Sequence, residues 1–322
     1  MAAASSSSLA ELEAQYRQYD ELIASKRAWL KRCGVVTGAD YWEALAERHS
    51  SLPCIEAISV SPVRVLSYRE VEQHANRVAH WGLSVGLRQG DVVALMSENR
   101  WEFVTVVLGL AKIGVTAAMI NNHLREALLH HALSIANTRH IIATRSTMPA
   151  VIHLVDSIRA GPTPQEAEAW QLWLLLDTTD SSVPHELVDG SHSAVKSLAE
   201  ALAHCSTERP DRALRDRVRP RDPMFYIYTS GTTGKSKAAR FSNKRWIGAG
   251  VCWSGPSLLG PSDKYYIALP LFHGNAMAVA LSPCLFSGAC AVIREKFSAS
   301  NFVSDMRVYG VRRRWSNHAF AQ

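Results

Sequence analysis

Residues 228–237 read Tyr-Thr-Ser-Gly-Thr-Thr-Gly-Lys-Ser-Lys, which sets four hydroxyl side chains and two glycines ahead of two lysines. Gly231 and Gly234 accept positive φ without a Cβ clash, so the backbone can curl and turn successive N–H groups inward. Such a nest binds anions. Thr229, Ser230, Thr232 and Thr233 add hydroxyl donors, and Lys237 adds a point charge. Together these groups have the chemistry to hold a polyphosphate. Just upstream, Met224-Phe225-Tyr226-Ile227-Tyr228 has the length and composition of a buried strand that would carry the loop.

Two phosphate-loop patterns must be separated. In G-x-x-x-x-G-K-[ST], the pair Lys235-Ser236 after Gly234 fits the second half, but the first glycine would be residue 229, which is Thr. The run instead resembles the Y-T-S-G-T-T-G-x-x-K signature of adenylate-forming enzymes, with Ser230, Gly231, Thr232, Thr233, Gly234 and Lys237 in place. In that reading Lys237 meets phosphate, while Lys235 and Ser236 fill variable positions that face solvent. The likeness extends upstream through Leu66-Ser67-Tyr68-Arg69-Glu70, Gly90-Asp91-Val92-Val93, Ser97-Glu98-Asn99 and Leu108-Gly109-Leu110-Ala111-Lys112-Ile113-Gly114. With Asn121-Asn122-His123-Leu124-Arg125, it is most similar to the fatty acid transport protein and very-long-chain acyl-CoA synthetase branch.

That resemblance implies ATP, Mg²⁺ and coenzyme A as partners in chemistry, a fatty acid as substrate, and activation of the acid through acyl-AMP to acyl-CoA. Leu269-Pro270-Leu271-Phe272-His273-Gly274 is similar to the family's next motif, whose aromatic and His lie near the acyl site. Two readings of His273 stay open, a place at the mouth of the acyl pocket or a cap on the helix that follows. The likeness spans residues 41–311 and corresponds to the first half of a family member. The Tyr-Gly-x-Thr-Glu segment whose Glu holds Mg²⁺, the ribose Asp, the hinge and the C-terminal domain with its adenylation Lys have no counterpart in the 322 residues. The expectation is a half-site that is inactive by itself. A non-catalytic nucleotide- or lipid-binding module and a P-loop NTPase are the rival classes.

Composition agrees with a globular protein: 47% hydrophobic and 20% charged residues. Six scattered cysteines with no C-x-x-C pair argue for reduced thiols and against a zinc site. The formal charge of +6 is local: four arginines and no acid fall in residues 307–322. No basic stripe interleaved with aromatics supports nucleic-acid binding. His130, His131 and His140 are read as solvated or locally satisfied, since no carboxylate accompanies them at ligand spacing. No run of about 18 apolar residues is present, and residues 1–8 lack the basic and apolar regions of a secretory signal. The branch it resembles implies a membrane-associated location on the cytosolic face, by surface contact, or a cytoplasmic one.

The elements that must position these groups follow from periodicity. Apolar residues from Leu9 to Leu30 recur at helical spacing and give an amphipathic helix, after a disordered stretch at residues 1–8. Together 1–40 form a tail and helix, 41–311 a partial N-terminal nucleotide-binding domain and 312–322 a basic tail. From residue 63 strands and helices alternate: strands at 63–68, 91–96, 115–120, 139–144, 170–176, 265–269 and 289–294, with helices between them. This rhythm specifies an α/β fold of mostly parallel sheets flanked by helices. Residues 177–222 break it and read as a surface excursion. Arg312-Arg313-Arg314 cannot be buried in a central strand without unpaired charge, so 312–322 is expected outside the sheet, leaving an open edge.

Overall fold

The computed structural model describes residues 6–161, 169–175, 195–229, 236–255, 259–311 and 313–314. The N-terminal helix α1 spans Ser6–Arg32, so the helix already includes residues 6–8, which were expected to lie outside it. It docks on the body: the Tyr19 hydroxyl donates to the Cys252 carbonyl at 2.7 Å and Lys26 Nζ to Ser254 Oγ at 2.7 Å. Helix α2 (Gly38–Arg48) follows, started by a capping box between Thr37 and Asp40. Strands β1 (Pro53–Ala57) and β2 (Arg64–Ser67) form a hairpin, and helix α3 (Tyr68–Ser84) begins at a second capping box, Ser67 with Glu70.

Alternation then sets in as expected: β3 (Val92–Met96), α4 (Trp101–Lys112), β4 (Thr116–Ile120), α5 (Glu126–Ala136), β5 (His140–Thr144), α6 (Met148–Arg159) and β6 (Gln171–Leu175). Helix α4 stops where Gly114 takes φ +70°, a conformation that side chains with a Cβ adopt at a cost. After β7 (Val195–Ser197) and α7 (Leu198–Ala203) come β8 (Pro223–Thr229), β9 (Lys237–Ser242) and α8 (Asn243–Trp253). The remainder is β10 (Lys264–Ile267), a π-helical stretch Asn275–Leu281 running into α9 (Ser282–Phe286), β11 (Cys290–Ile293), α10 (Ala299–Val308) and β12 (Arg313–Arg314).

Two sheets result. One has seven strands in the order β7-β6-β5-β3-β4-β8-β9, parallel except for the antiparallel β8–β9 pair. The other has five, β12-β10-β11-β1-β2, parallel except for β1–β2. Side-chain alternation sends Val93, Leu95, Ala117, Met119, Phe225 and Ile227 into a core shared with α2, α3, α4, α8 and the five-stranded sheet. Ala94, Met96, Ala118, Ile120, Ile141 and Ala143 point the other way, onto α5 and α6. Tyr266 and Val292 pack under α10. The layers therefore run helix, sheet, helix, sheet, helix, and both faces of the parallel strands are covered.

Three expectations need correction. Residues 195–197 form β7, an edge strand within the presumed excursion, whereas 178–182 lie outside the described residues. The charged segment 208–222 is mostly exposed, as a surface excursion would be, but it carries one interior arginine. Arg215, on its 3₁₀ turn (Arg212–Arg215), is fully buried, as is Lys112. Lys112 Nζ lies 2.7 Å from Glu43 and 2.8 Å from Glu72. The Arg215 guanidinium reaches Glu43 at 2.6 Å, Asp40 at 3.0 Å and the Lys112 carbonyl at 3.1 Å. Burial alone would raise the Asp40 pKa, but the Thr37 amide, Arg212 and Arg215 outweigh it and hold the carboxyl below its ordinary value. Finally, Arg313 and Arg314 do enter a sheet, pairing in parallel with Tyr265 and Tyr266 on β10. They sit at the edge rather than the centre, where a strand's outer side stays solvated and charge is tolerated. Residues 312 and 315–322 of the presumed tail lie outside the described residues.

Removing one member of a buried charge cluster strands its partners, so Arg215→Ala should lower folding stability by about 3–5 kcal/mol, read from urea denaturation.

Burial pushes His49, His74, His140 and His273 below the ordinary histidine value, His74 to about 4. The unfolded chain then takes up protons first, near pH 6.5. Their contribution is therefore complete above pH ~6.5 and is lost as the pH falls toward about 4. The urea midpoint should drop between pH 7.5 and pH 5, and His74→Gln should flatten that slope.

Candidate functional site

The segment expected to bind phosphate follows β8 at its carboxyl end. Such ends are where open α/β sheets bind ligands. Thr229 is the last residue of β8 and Lys237 the first of β9, and the two are cross-strand partners. Both are exposed. The loop is thus the tip of an antiparallel hairpin and does not run directly into the helix at Asn243, because β9 intervenes. Ser230, Gly231, Thr232, Thr233 and Gly234, with Lys235, lie outside the described residues. Lys237 has no carboxylate partner among the described residues.

The second motif comes to the same edge. A Cβ added at Gly274 would lie 2.9 Å from Ile227 Cδ1, so the 270–274 turn packs on β8 two residues before Thr229. Phe272 is buried in the core that holds Ile227, and its ring lies 4.5 Å from the exposed His273 ring. The cap position of the following helix is Gly274, which has no side chain to offer. The His273 backbone carbonyl accepts from the Ala276 amide at 3.1 Å and the Met277 amide at 3.2 Å. Partial burial pushes the imidazole pKa down, so the ring is neutral at pH 7.

Asn99 fixes this turn against the neighbouring sheet. It follows β3 and is itself buried. Its Nδ2 donates to the carbonyls of Leu269 at 2.8 Å and Arg294 at 3.1 Å, and its Oδ1 accepts from the Leu271 amide at 2.7 Å. One side chain thereby joins the carboxyl ends of β3, β10 and β11 and sets the position of Phe272 and His273. Its neighbour Glu98 accepts from Thr144 Oγ1 at 2.7 Å at the end of β5. At the end of β4, beside β8, Asn122 Oδ1 is buried with no hydrogen-bond partner among the described residues. Of the three histidines read as locally satisfied, His140 is stacked on Trp173 and accepts from its Nε1 at 3.2 Å. His131 binds the carbonyl of Ser236, at the foot of the loop, at 3.0 Å.

Sequence reasoning placed Thr229, Lys237, Phe272 and His273, and the fold brings their segments to one edge. It did not assign roles to Asn99 or His131. A polar residue directly after a buried strand was the available signal for Asn99, but its partners at 269–271 and 294 are visible only in the fold. Asn99→Ala leaves three backbone groups unpaired and should cost at least about 1–3 kcal/mol of stability. Thermal unfolding with circular dichroism checks this.

The family described as AMP-binding enzyme matches residues 42–313. Long-chain fatty acid transport protein 6 of Homo sapiens is 30% identical over 292 residues, covering 90% of this chain and 43% of that protein. The medium/long-chain-fatty-acid–CoA ligase FadD6 of Mycobacterium tuberculosis is 31% identical over 238 residues, covering 74% of this chain and 35% of the relative. The chain therefore spans less than half the length of these curated relatives. Among solved structures, the inhibitor-bound N-terminal domain of FACL13 from Mycobacterium tuberculosis superposes with a TM-score of 0.70 at 23% identity, over 86% of this chain and 62% of that one.

Proposed function

This chain belongs to the AMP-binding enzyme family, and from that premise we propose that it serves ATP-dependent activation of a long- or very-long-chain fatty acid to its coenzyme A thioester, linked to fatty acid uptake. The observation that carries the reading is the convergence at one sheet edge. The phosphate-loop hairpin, with Thr229 and Lys237 as its feet, meets the Phe272-His273 turn packed on the same strand. The printed names of the relatives, fatty acid transport proteins and fatty-acid–CoA ligases, support the substrate class.

In the first step a carboxylate oxygen of the acid bonds to the α-phosphorus of ATP, and the bond from that phosphorus to the bridging oxygen breaks. Pyrophosphate leaves with the electron pair. In the second, the sulfur of coenzyme A bonds to the acyl carbon, loses its proton, and AMP departs. Lys237 and the hydroxyls of 229–233 would hold the terminal phosphates, a task of positioning and charge neutralisation. Phe272 and the neutral His273 would border the acyl group. Bound Mg²⁺ would supply further neutralisation of the phosphates. Among the described residues no group of three or more His, Cys, Asp and Glu could hold a metal ion.

No helix among the described residues is long and apolar enough to cross a membrane. A cytoplasmic site of action, or contact with the cytosolic face of a membrane, follows from the same reading.

Calorimetric titration with ATP tests the nucleotide site. Lys237→Ala should weaken binding by about 1–3 kcal/mol, the range for charge-assisted bonds, and Lys235→Ala far less. The reverse ranking would sink the assignment. Residues 1–322 alone, given ATP, Mg²⁺, coenzyme A and oleate, should form no acyl-AMP or thioester. Robust thioester formation would show that these residues suffice for the reaction.

A further inference from the structure

We propose that His131 is a positioning residue for the phosphate loop, holding the strand that leaves the loop so that Lys237 is presented at the carboxyl edge of the sheet. The proposal rests on the reading of that loop as the nucleotide site. Helix α5 runs alongside the β8–β9 hairpin. His131 Nε2 lies 3.0 Å from the Ser236 carbonyl oxygen. A carbonyl only accepts, so Nε2 must carry the proton. One residue on, the Ala132 carbonyl accepts from the Tyr228 hydroxyl at 2.9 Å. Consecutive residues of one helix therefore grip both legs of the hairpin, one immediately before Thr229 and the other immediately before Lys237.

The two grips are not equivalent. Tyr228 is buried in the core with α5, and its strand is paired on both sides, with β4 and β9. Strand β9 is an edge, hydrogen-bonded along its length to β8 alone. Its first residues would fray readily, as strand ends with few buried contacts do. His131 supplies a second anchor at that end, from the helix rather than the sheet. The side chain is half-buried and is not part of the apolar cluster around Ala132 and Leu133, so its replacement leaves that core in place.

The test compares wild type, His131→Ala and His131→Gln in the 322-residue chain. The Gln amide nitrogen can reach the place of Nε2 and keeps the donor. The first readout is the rate of tryptic cleavage after Lys237, followed by mass spectrometry. The second is ATP affinity by titration. His131→Ala should speed cleavage severalfold and weaken ATP binding about tenfold, with the melting temperature little changed. His131→Gln should restore both. Unchanged cleavage in His131→Ala, or equal acceleration in both variants, would overturn the proposal. Absence of ATP binding by the wild type would instead remove the nucleotide-site reading, and the cleavage series would still decide whether His131 anchors the hairpin.

Discussion

Lys112 and Arg215 are charged side chains with no access to water, and much of the architecture answers that constraint. An ammonium or guanidinium in a low-dielectric interior is tolerated only when paired and hydrogen-bonded. The acids that satisfy these two come from α2 (Asp40, Glu43) and α3 (Glu72), while Lys112 ends α4 and Arg215 lies on the later 3₁₀ turn. Asp40 also closes the capping box that starts α2. Three helices and one connection are thus fastened at one point between the two sheets. Arg209 and Arg212 reach the same carboxylates from the solvent side, Arg209 Nε to Glu72 at 3.0 Å and Arg212 Nε to Asp40 at 3.0 Å.

With the helices fixed, the two sheets present their carboxyl edges to a common region. Asn99 ties these edges together through three backbone groups. The α5 helix, on the far side of the seven-stranded sheet, reaches its hairpin from behind. The 270–274 turn, tied by Asn99 to β10 and β11, therefore meets β8 only because the two sheets are held in register.

The legible part of this fold was local. Helices and strands between residues 63 and 159 follow directly from periodicity, because each buries one face or both in a regular way. The family was legible at residues 228–237 because glycine, hydroxyl and lysine in that order have few other uses. Strand β7 was missed because three residues carry no period. The helix α2 was missed although Thr37 and Asp40 spell a capping pattern, since its buried acids resemble a solvated face. Residues 208–222 are mostly exposed, as read, but Arg215 among them is buried. Arginines look exposed in a sequence, and only partners more than 100 residues away make Arg215 an interior residue. Arg313 and Arg314 failed in a milder form: the charge argument excluded a central strand but not an edge one.

The five-stranded sheet threads the chain in a way that bears on how the protein is made. Its β1 strand lies between β2, its own hairpin partner, and β11, so that Ile55 meets Ala291. During synthesis the β1–β2 hairpin leaves the ribosome well before β10 and β11 exist. At roughly 5–20 residues per second, the wait is on the order of 10–50 s. For that interval β1 has one unsatisfied edge, while α3 and α4, made next, already cover its apolar side. The seven-stranded sheet can assemble its central strands β3, β4 and β5 from neighbouring sequence meanwhile. The nascent chain thus passes through a stage with one sheet partly built and the other open, when sticking to another chain competes with waiting for its own.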